Sequence, residues 1–194
     1  MVGKRWLFQV QGPMGERVQI VGYVPSPEMV VFDLCEFFRE WDLLFATTYG
    51  VGELLLEAVV RGGKDIVLIL PGKHPLDGGM GLLEALGVRF FDAAGRELTG
   101  LGDNLKRVTS LDLSGVLKKP QNVRVTLALG EEKNEEALRL LWGDLFHFAR
   151  LLFRFTGERP PDVREVGGVG MGLGVVWEVD VTGREKMPCL SGLC

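Results

Sequence analysis

Residues 65–92 read DIVLILPGKHPLDGGMGLLEALGVRFFD, and this stretch decides the fold class. Its first six residues, Asp65 to Leu70, form an unbroken apolar run of strand length, the pattern of a strand buried on both faces. A Gly/Pro-rich loop over 71–78 follows. The spacing then predicts a short helix over 79–86, stopped by Gly87, and a further strand over 88–92. Upstream, an apolar-periodic segment over 53–60 predicts a helix, with Thr47 and Thr48 offering N-cap hydroxyls and Gly62-Gly63 a stop. Helix, strand, loop, helix, strand is the order of an α/β unit with crossover connections.

Working outward, 6–11 and 17–24 are alternating, β-rich runs joined by Gly12-Pro13-Met14-Gly15, which reads as a hairpin. A third strand is expected over 29–34, and then a short helix over 35–44 capped by Asp33. Further strands are expected over 108–113 and 123–129. The longest helix should span 132–155, acidic in its first turn, with Arg150 and Arg154 near its end and Gly157 as its stop. Its apolar stripe (Leu138, Leu141, Leu145, Phe148, Leu152, Phe155) is widened by Trp142, Phe146 and Phe153, so the surplus beyond the core is a candidate dimer surface. The glycine-dense stretch 167–174 reads as close backbone packing or a turn, followed by a β-like run over 175–181. The expected architecture is one α/β domain, a mixed sheet with flanking helices.

Composition bounds the function classes. The chain has 194 residues, 46% hydrophobic, with net charge −4. That is too apolar for overall disorder and lacks the clustered Lys and Arg of a nucleic-acid binder. No charge-free apolar stretch of membrane-spanning length occurs, and no signal-peptide core follows the start. Three scattered cysteines, Cys35, Cys189 and Cys194, fit a reducing cytoplasm rather than a disulfide framework. Only seven residues are Asn or Gln, which leans toward a thermophilic source.

Chemistry concentrates in the nine residues Pro71 to Gly79. A buried strand feeding a glycine-rich loop and a helix start creates an anion site in principle, with the N–H groups of Gly78 and Gly79 pointing into the loop. Lys73 adds charge, His74 can shuttle a proton, and Asp77 can act as a base or orient the imidazole. The same residues also suit an ordinary strand-to-helix turn with solvated side chains. The glycines of 167–174 fail the GxGxxG spacing, and GxxxxGK[ST] and GxSxG are absent. With only His74 and His147, and Cys189 and Cys194 lacking partners at zinc spacing, no metal site is expected.

Several segments together resemble the glycerate kinase family, which phosphorylates glycerate with ATP. Residues 47–54, TTYGVGEL, resemble its TTYGTGEL segment, and residues 77–90 follow its DGGxGxLxALGxxF run. Asp92, Gly95 and Leu98 fit its DxxGxxL signature, Leu111 to Gly115 its IDLSGL signature, and residues 11–18 its TGPLGxxV opening. The strongest likeness covers 47–115. The resemblance implies a mixed α/β fold like that family's inserted middle domain, with Mg-ATP as cofactor if kinase activity is retained. It implies a small anionic metabolite such as glycerate as ligand and, for an active kinase, a partner chain that supplies the missing domain. The surplus apolar surface of the long helix or an edge strand leaves a structural module that forms a homodimer as a further alternative.

The chain departs from the pattern where chemistry is expected. The family's GGSATND stands here as Pro71 to Asp77, its CDVxNPL as residues 129–135, and the FGPQKGA segment is missing. The flanking segments of the family's nucleotide-type domain are also absent from the sequence. The expectation is a truncated relative that keeps the scaffold, is not a competent kinase alone, and binds an anion through Lys73, His74, Asp77, Gly78 and Gly79.

Overall fold

The computed structural model describes residues 4–131 and 135–183. Its elements run β1 (Lys4–Gln11), β2 (Arg17–Ser26), β3 (Met29–Asp33), α1 (Tyr49–Val60), β4 (Asp65–Leu70) and α2 (Met80–Ala85). Then come β5 (Arg89–Phe91), β6 (Glu97–Leu98), a 3-10 turn (Gly102–Arg107), β7 (Ser110–Asp112) and β8 (Arg124–Leu129). Two helices, α3 (Glu135–Thr156) and α4 (Val163–Leu173), precede β9 (Val179–Gly183).

The main sheet has the order β1-β2-β3-β4-β8-β9. The first two strands form the expected hairpin, β3 adds to it antiparallel, and β3, β4, β8 and β9 are parallel, with Val31 beside Val67 and Leu68 beside Leu127. This is the mixed α/β sheet that the sequence predicts. The parallel strands advance in one direction, so right-handed crossovers place their helices on one face. On that face Val30, Phe32, Ile66, Leu68 and Leu127 pack with Leu54 and Leu55 of α1 and Val169 and Leu173 of α4. A second, three-stranded antiparallel sheet, β6-β5-β7, stands apart from the first. Its Phe90 and Leu111 bury against Leu145, Phe148 and Leu152 of α3, making a second apolar cluster.

Four local expectations need correction. The segment 35–44 is a string of turns, because short polar side chains capture the backbone there. Asp33 accepts from the Cys35 N–H (3.0 Å), and Asp42 accepts from the N–H groups of Leu44 (2.8 Å) and Phe45 (3.1 Å). Helix α1 starts at Tyr49, four residues early, and its N-cap Thr48 makes no capping bond because its hydroxyl is engaged elsewhere. The glycine-rich stretch is helical: it lies in α4, kinked at Gly167 (φ 67°, ψ −178°), and the following strand begins only at Val179. In α3, Phe155 of the expected apolar stripe is exposed (37%), together with the surplus residues Trp142, Phe146 and Phe153, while Leu141, Leu145, Phe148 and Leu152 are buried. The expected helix start at 132–134 and the residues Cys189 and Cys194 lie outside the described residues.

Candidate functional site

The loop after β4 is organised around Asp77, which is only 1% exposed. Its Oδ2 accepts from the Thr48 N–H (2.8 Å), the Thr48 hydroxyl (2.8 Å) and the Gly81 N–H (3.1 Å), and its Oδ1 from the Gly79 N–H (2.9 Å). Thr48 Oγ1 in turn accepts from the Leu82 N–H (3.0 Å). One carboxylate thereby joins the starts of α1 and α2, where helical N–H groups lack intrahelical acceptors and the dipole favours negative charge. Burial pushes the Asp77 carboxyl up to about 6, against the Thr48, Gly81 and Gly79 hydrogen bonds that favour its ionised form.

Behind Asp77 the backbone turns left-handed. Gly79 has φ 74°, and a Cβ there would stand 2.7 Å from the Gly168 carbonyl oxygen and from Gly172 Cα. Only glycine meets both the conformation and the approach of α4. The Gly79 N–H is occupied by Asp77, and Gly78 is packed beneath Phe148 and Met171.

At the other end of the loop, His74 is 3% exposed. Its Nδ1 lies 2.9 Å from the Pro71 carbonyl oxygen, so Nδ1 carries the proton and Nε2 is the acceptor. Nε2 is buried and has no hydrogen-bond partner among the described residues. Desolvation holds the His74 pKa below the ordinary imidazole value, so the ring is neutral at pH 7. Gly167 lies directly over Nε2, where any side chain would overlap the ring. Nearby is a pocket of about 50 Å³ at the carboxyl ends of β4 and β8, lined among others by Gly72, His74, Gly130, Arg164, Glu165 and Gly167. That is room for a few water-sized groups.

The five residues singled out in the sequence thus divide. Asp77, Gly78 and Gly79 face inward to the helix starts and α4, His74 faces the small pocket, and Lys73 is exposed. Asp77 does not orient the imidazole, because His74 Nδ1 is taken by Pro71. Sequence reasoning missed Thr48 as the partner of Asp77, and Gly167, Arg164 and Glu165 at the pocket. The Thr47-Thr48 pair was visible only as a cap, and nothing in the glycine run marks which residue meets His74.

A larger cleft of about 470 Å³ lies at the opposite ends of the parallel strands. Six of its seven charged residues pair with one another, Lys64 with Glu28, Arg124 with Asp65 (3.8 Å) and Lys119 with Glu178 (3.9 Å). Ligands of α/β sheets bind beyond the carboxyl ends of the strands, which favours the His74 end. Among the described residues, no three His, Cys, Asp or Glu side chains gather where a metal ion could be held. Among them, too, no helix is long and apolar enough to cross a membrane.

Known proteins match this arrangement. The family model described as "Glycerate kinase family" matches residues 2–132. The chain is 33% identical to the glycerate 2-kinase of Escherichia coli K12, with 86% of this chain and 50% of that protein covered. It is 27% identical to the glycerate kinase of Halalkalibacterium halodurans, with 88% and 53% covered. A solved structure assigned to glycerate kinase 2 of Salmonella typhimurium LT2 superimposes with a TM-score of 0.79 at 24% identity, over 94% of this chain and 57% of that one, a likeness of fold. The chain spans about half the length of the curated relatives it matches. With the family model covering well over half of its residues, the chain belongs to the glycerate kinase family.

Proposed function

We propose that the chain binds a small hydroxylated anion, glycerate being the first candidate, at the Lys73–His74 end of the loop, and that it does not transfer phosphate by itself. The observation that carries this reading is the buried His74 Nε2, an acceptor without a donor among the described residues, beside a small pocket whose wall is largely apolar but includes Arg164 and Glu165. A buried polar group left unpaired costs about 1–3 kcal/mol, and a ligand hydroxyl entering the pocket removes that cost. The pocket admits only the hydroxyl end. The carboxylate then stays at the rim, near Lys73, with the Arg164 guanidinium, itself paired with Asp162, on the pocket wall. Asp77, Gly78 and Gly79 shape the loop in this proposal rather than touch the ligand.

Phosphoryl transfer depends on positioning and on charge stabilisation around the phosphates. The small polar residues that the family carries in the loop are replaced here by Lys73, His74 and Pro75, which supports binding without transfer. A second reading is favoured by the half-length match to relatives named glycerate kinases. In it the chain phosphorylates glycerate once a separate polypeptide supplies the other half.

Calorimetric titration with glycerate tests the first reading. Saturable heat that is lost in Lys73→Ala and weakened in His74→Ala is expected. No heat at millimolar glycerate, or the same affinity in both variants, overturns the site. Turnover of ATP and glycerate by the chain alone overturns the claim of no transfer, and turnover only after a second chain is added selects the second reading.

A further inference from the structure

We propose that α3 is a self-association surface on which a second copy of this chain packs antiparallel. The helix is 22 residues long, about 33 Å at 1.5 Å per residue. Its outer face carries Trp142 (42% exposed), Phe146 (57%) and Phe153 (54%). Large aromatics aligned on one helix face mark an interaction site rather than scattered surface apolarity.

Three observations identify the occupant as a second copy in antiparallel register. The first is charge. The start of α3 bears the exposed Glu135 and Glu136 against a single Arg139, and its far half bears Arg150 and Arg154, with Glu158 and Arg159 just beyond, so the start is net acidic and the end net basic. An antiparallel copy sets the acidic start of each helix against the basic end of the other and opposes the two dipoles. A parallel copy would stack like charges.

The second is Gly143, which stands on the same face. Among the described residues nothing lies within 4 Å of the place where its Cβ would be, so their packing does not require glycine there. Glycine in a helix interior lowers helix stability relative to alanine, and the fold of one chain offers no return for that loss. A two-fold axis near the middle of the exposed segment, between Phe146 and Arg150, sets Gly143 of each copy level with Phe153 of the other, where the missing side chain of the glycine lets the two helix backbones approach closely.

The third is a pair of shallow cavities of nearly equal size beside this face. One, about 360 Å³, is lined by Trp142, Glu135, Arg139 and Arg164 among others, the last already paired with Asp162, so Glu135 is the charge it offers to a basic partner. The other, about 390 Å³, is lined by Phe153, Arg150 and Arg159 among others. The same two-fold axis exchanges them, so the Phe153 ring of one copy faces the Trp142 cavity of its mate and the Trp142 ring faces the Phe153 cavity. That is the self-complementarity an isologous dimer requires.

Sedimentation velocity on the purified chain between about 1 and 100 μM, the range in which modest dimers dissociate, is the test. A species of twice the chain mass, growing with concentration, is expected. Phe153→Glu should weaken it more than about tenfold while the far-UV circular dichroism stays unchanged, since the ring is exposed in the single chain. Gly143→Ala should raise the melting temperature of the dilute monomer and weaken the dimer. Arg159→Glu should weaken association at low salt, and Glu136→Arg in the same chain should restore it. A single monomer throughout the range overturns the proposal, and so does a dimer indifferent to Phe153→Glu. A double charge variant as weak as Arg159→Glu alone overturns the antiparallel register.

Discussion

The two ends of the loop between β4 and α2 carry similar chemistry on paper and opposite chemistry in the fold. At one end Asp77 is buried with three donors on one oxygen and one on the other. At the other end His74 is equally buried, with one nitrogen engaged and one without any partner. A saturated polar group is a staple, and an unsaturated one is a site. Burial alone does not separate them, and neither does residue type; the count of partners does.

The largest effect that would sharpen this contrast is at the staple. Asp77→Ala leaves the N–H groups of Thr48, Gly79 and Gly81 and the Thr48 hydroxyl without their buried acceptor. A loss of about 4 kcal/mol or more is expected in urea unfolding. His74→Ala should cost clearly less, because one fewer unmet acceptor is then buried, and an equal loss in both variants would break the contrast. Next comes Gly79→Ala, which forces a left-handed residue against Gly168 and Gly172. About 2–3 kcal/mol is expected by the same assay, and an unperturbed midpoint would show that α4 does not seat there.

The pH dependence separates the two ends by sign. His74 has a folded pKa below the unfolded value of 6.5, so the unfolded chain takes up the proton first. Its contribution to stability is full above that value and is lost as pH falls below it. Asp77 rises from 3.8 to about 6, so between these limits the folded chain holds more protons and stability climbs as pH falls. Either slope is at most about 1.4 kcal/mol per pH unit. Subtracting the profile of His74→Gln from that of the wild type should isolate a loss toward acid, and a flat difference between pH 7 and 5 would show that His74 is not held neutral. The smallest effect is at Lys73, which is exposed. Lys73→Ala should change stability by less than about 0.5 kcal/mol and lower glycerate affinity, read by the titration described above.

What the sequence disclosed follows from which forces are local. The hairpin, the apolar run of β4 and the stop at Gly87 rest on alternation, continuity and turn chemistry, all contained in a few neighbouring residues. Helix α4 was illegible because seven of its eleven residues, Val163 to Leu173, are glycine or β-branched valine, poor helix formers read alone. Its reason to be helical is tertiary: Gly168 and Gly172 let its backbone reach Gly79, about ninety residues back in the chain. The site divided in the same way. Lys73, His74 and Asp77 stood out by type, but the deciding fact, that Thr48 reaches Asp77 and nothing reaches His74 Nε2, depends on contacts 29 residues apart and more.

The one-directional advance of the parallel strands has a consequence during synthesis. When β4 leaves the ribosome, β3 is already available along one edge, but its other partner, β8, lies 53 residues further on. At about 5–20 residues per second, that edge waits roughly 3–10 s for its mate. Through that interval the chain holds out Ile66 to Leu70, five consecutive aliphatic side chains with no charge among them, on an open strand. The nascent protein is therefore most exposed to misassociation in a narrow window before β8 emerges, and slower translation past Leu70 would widen it.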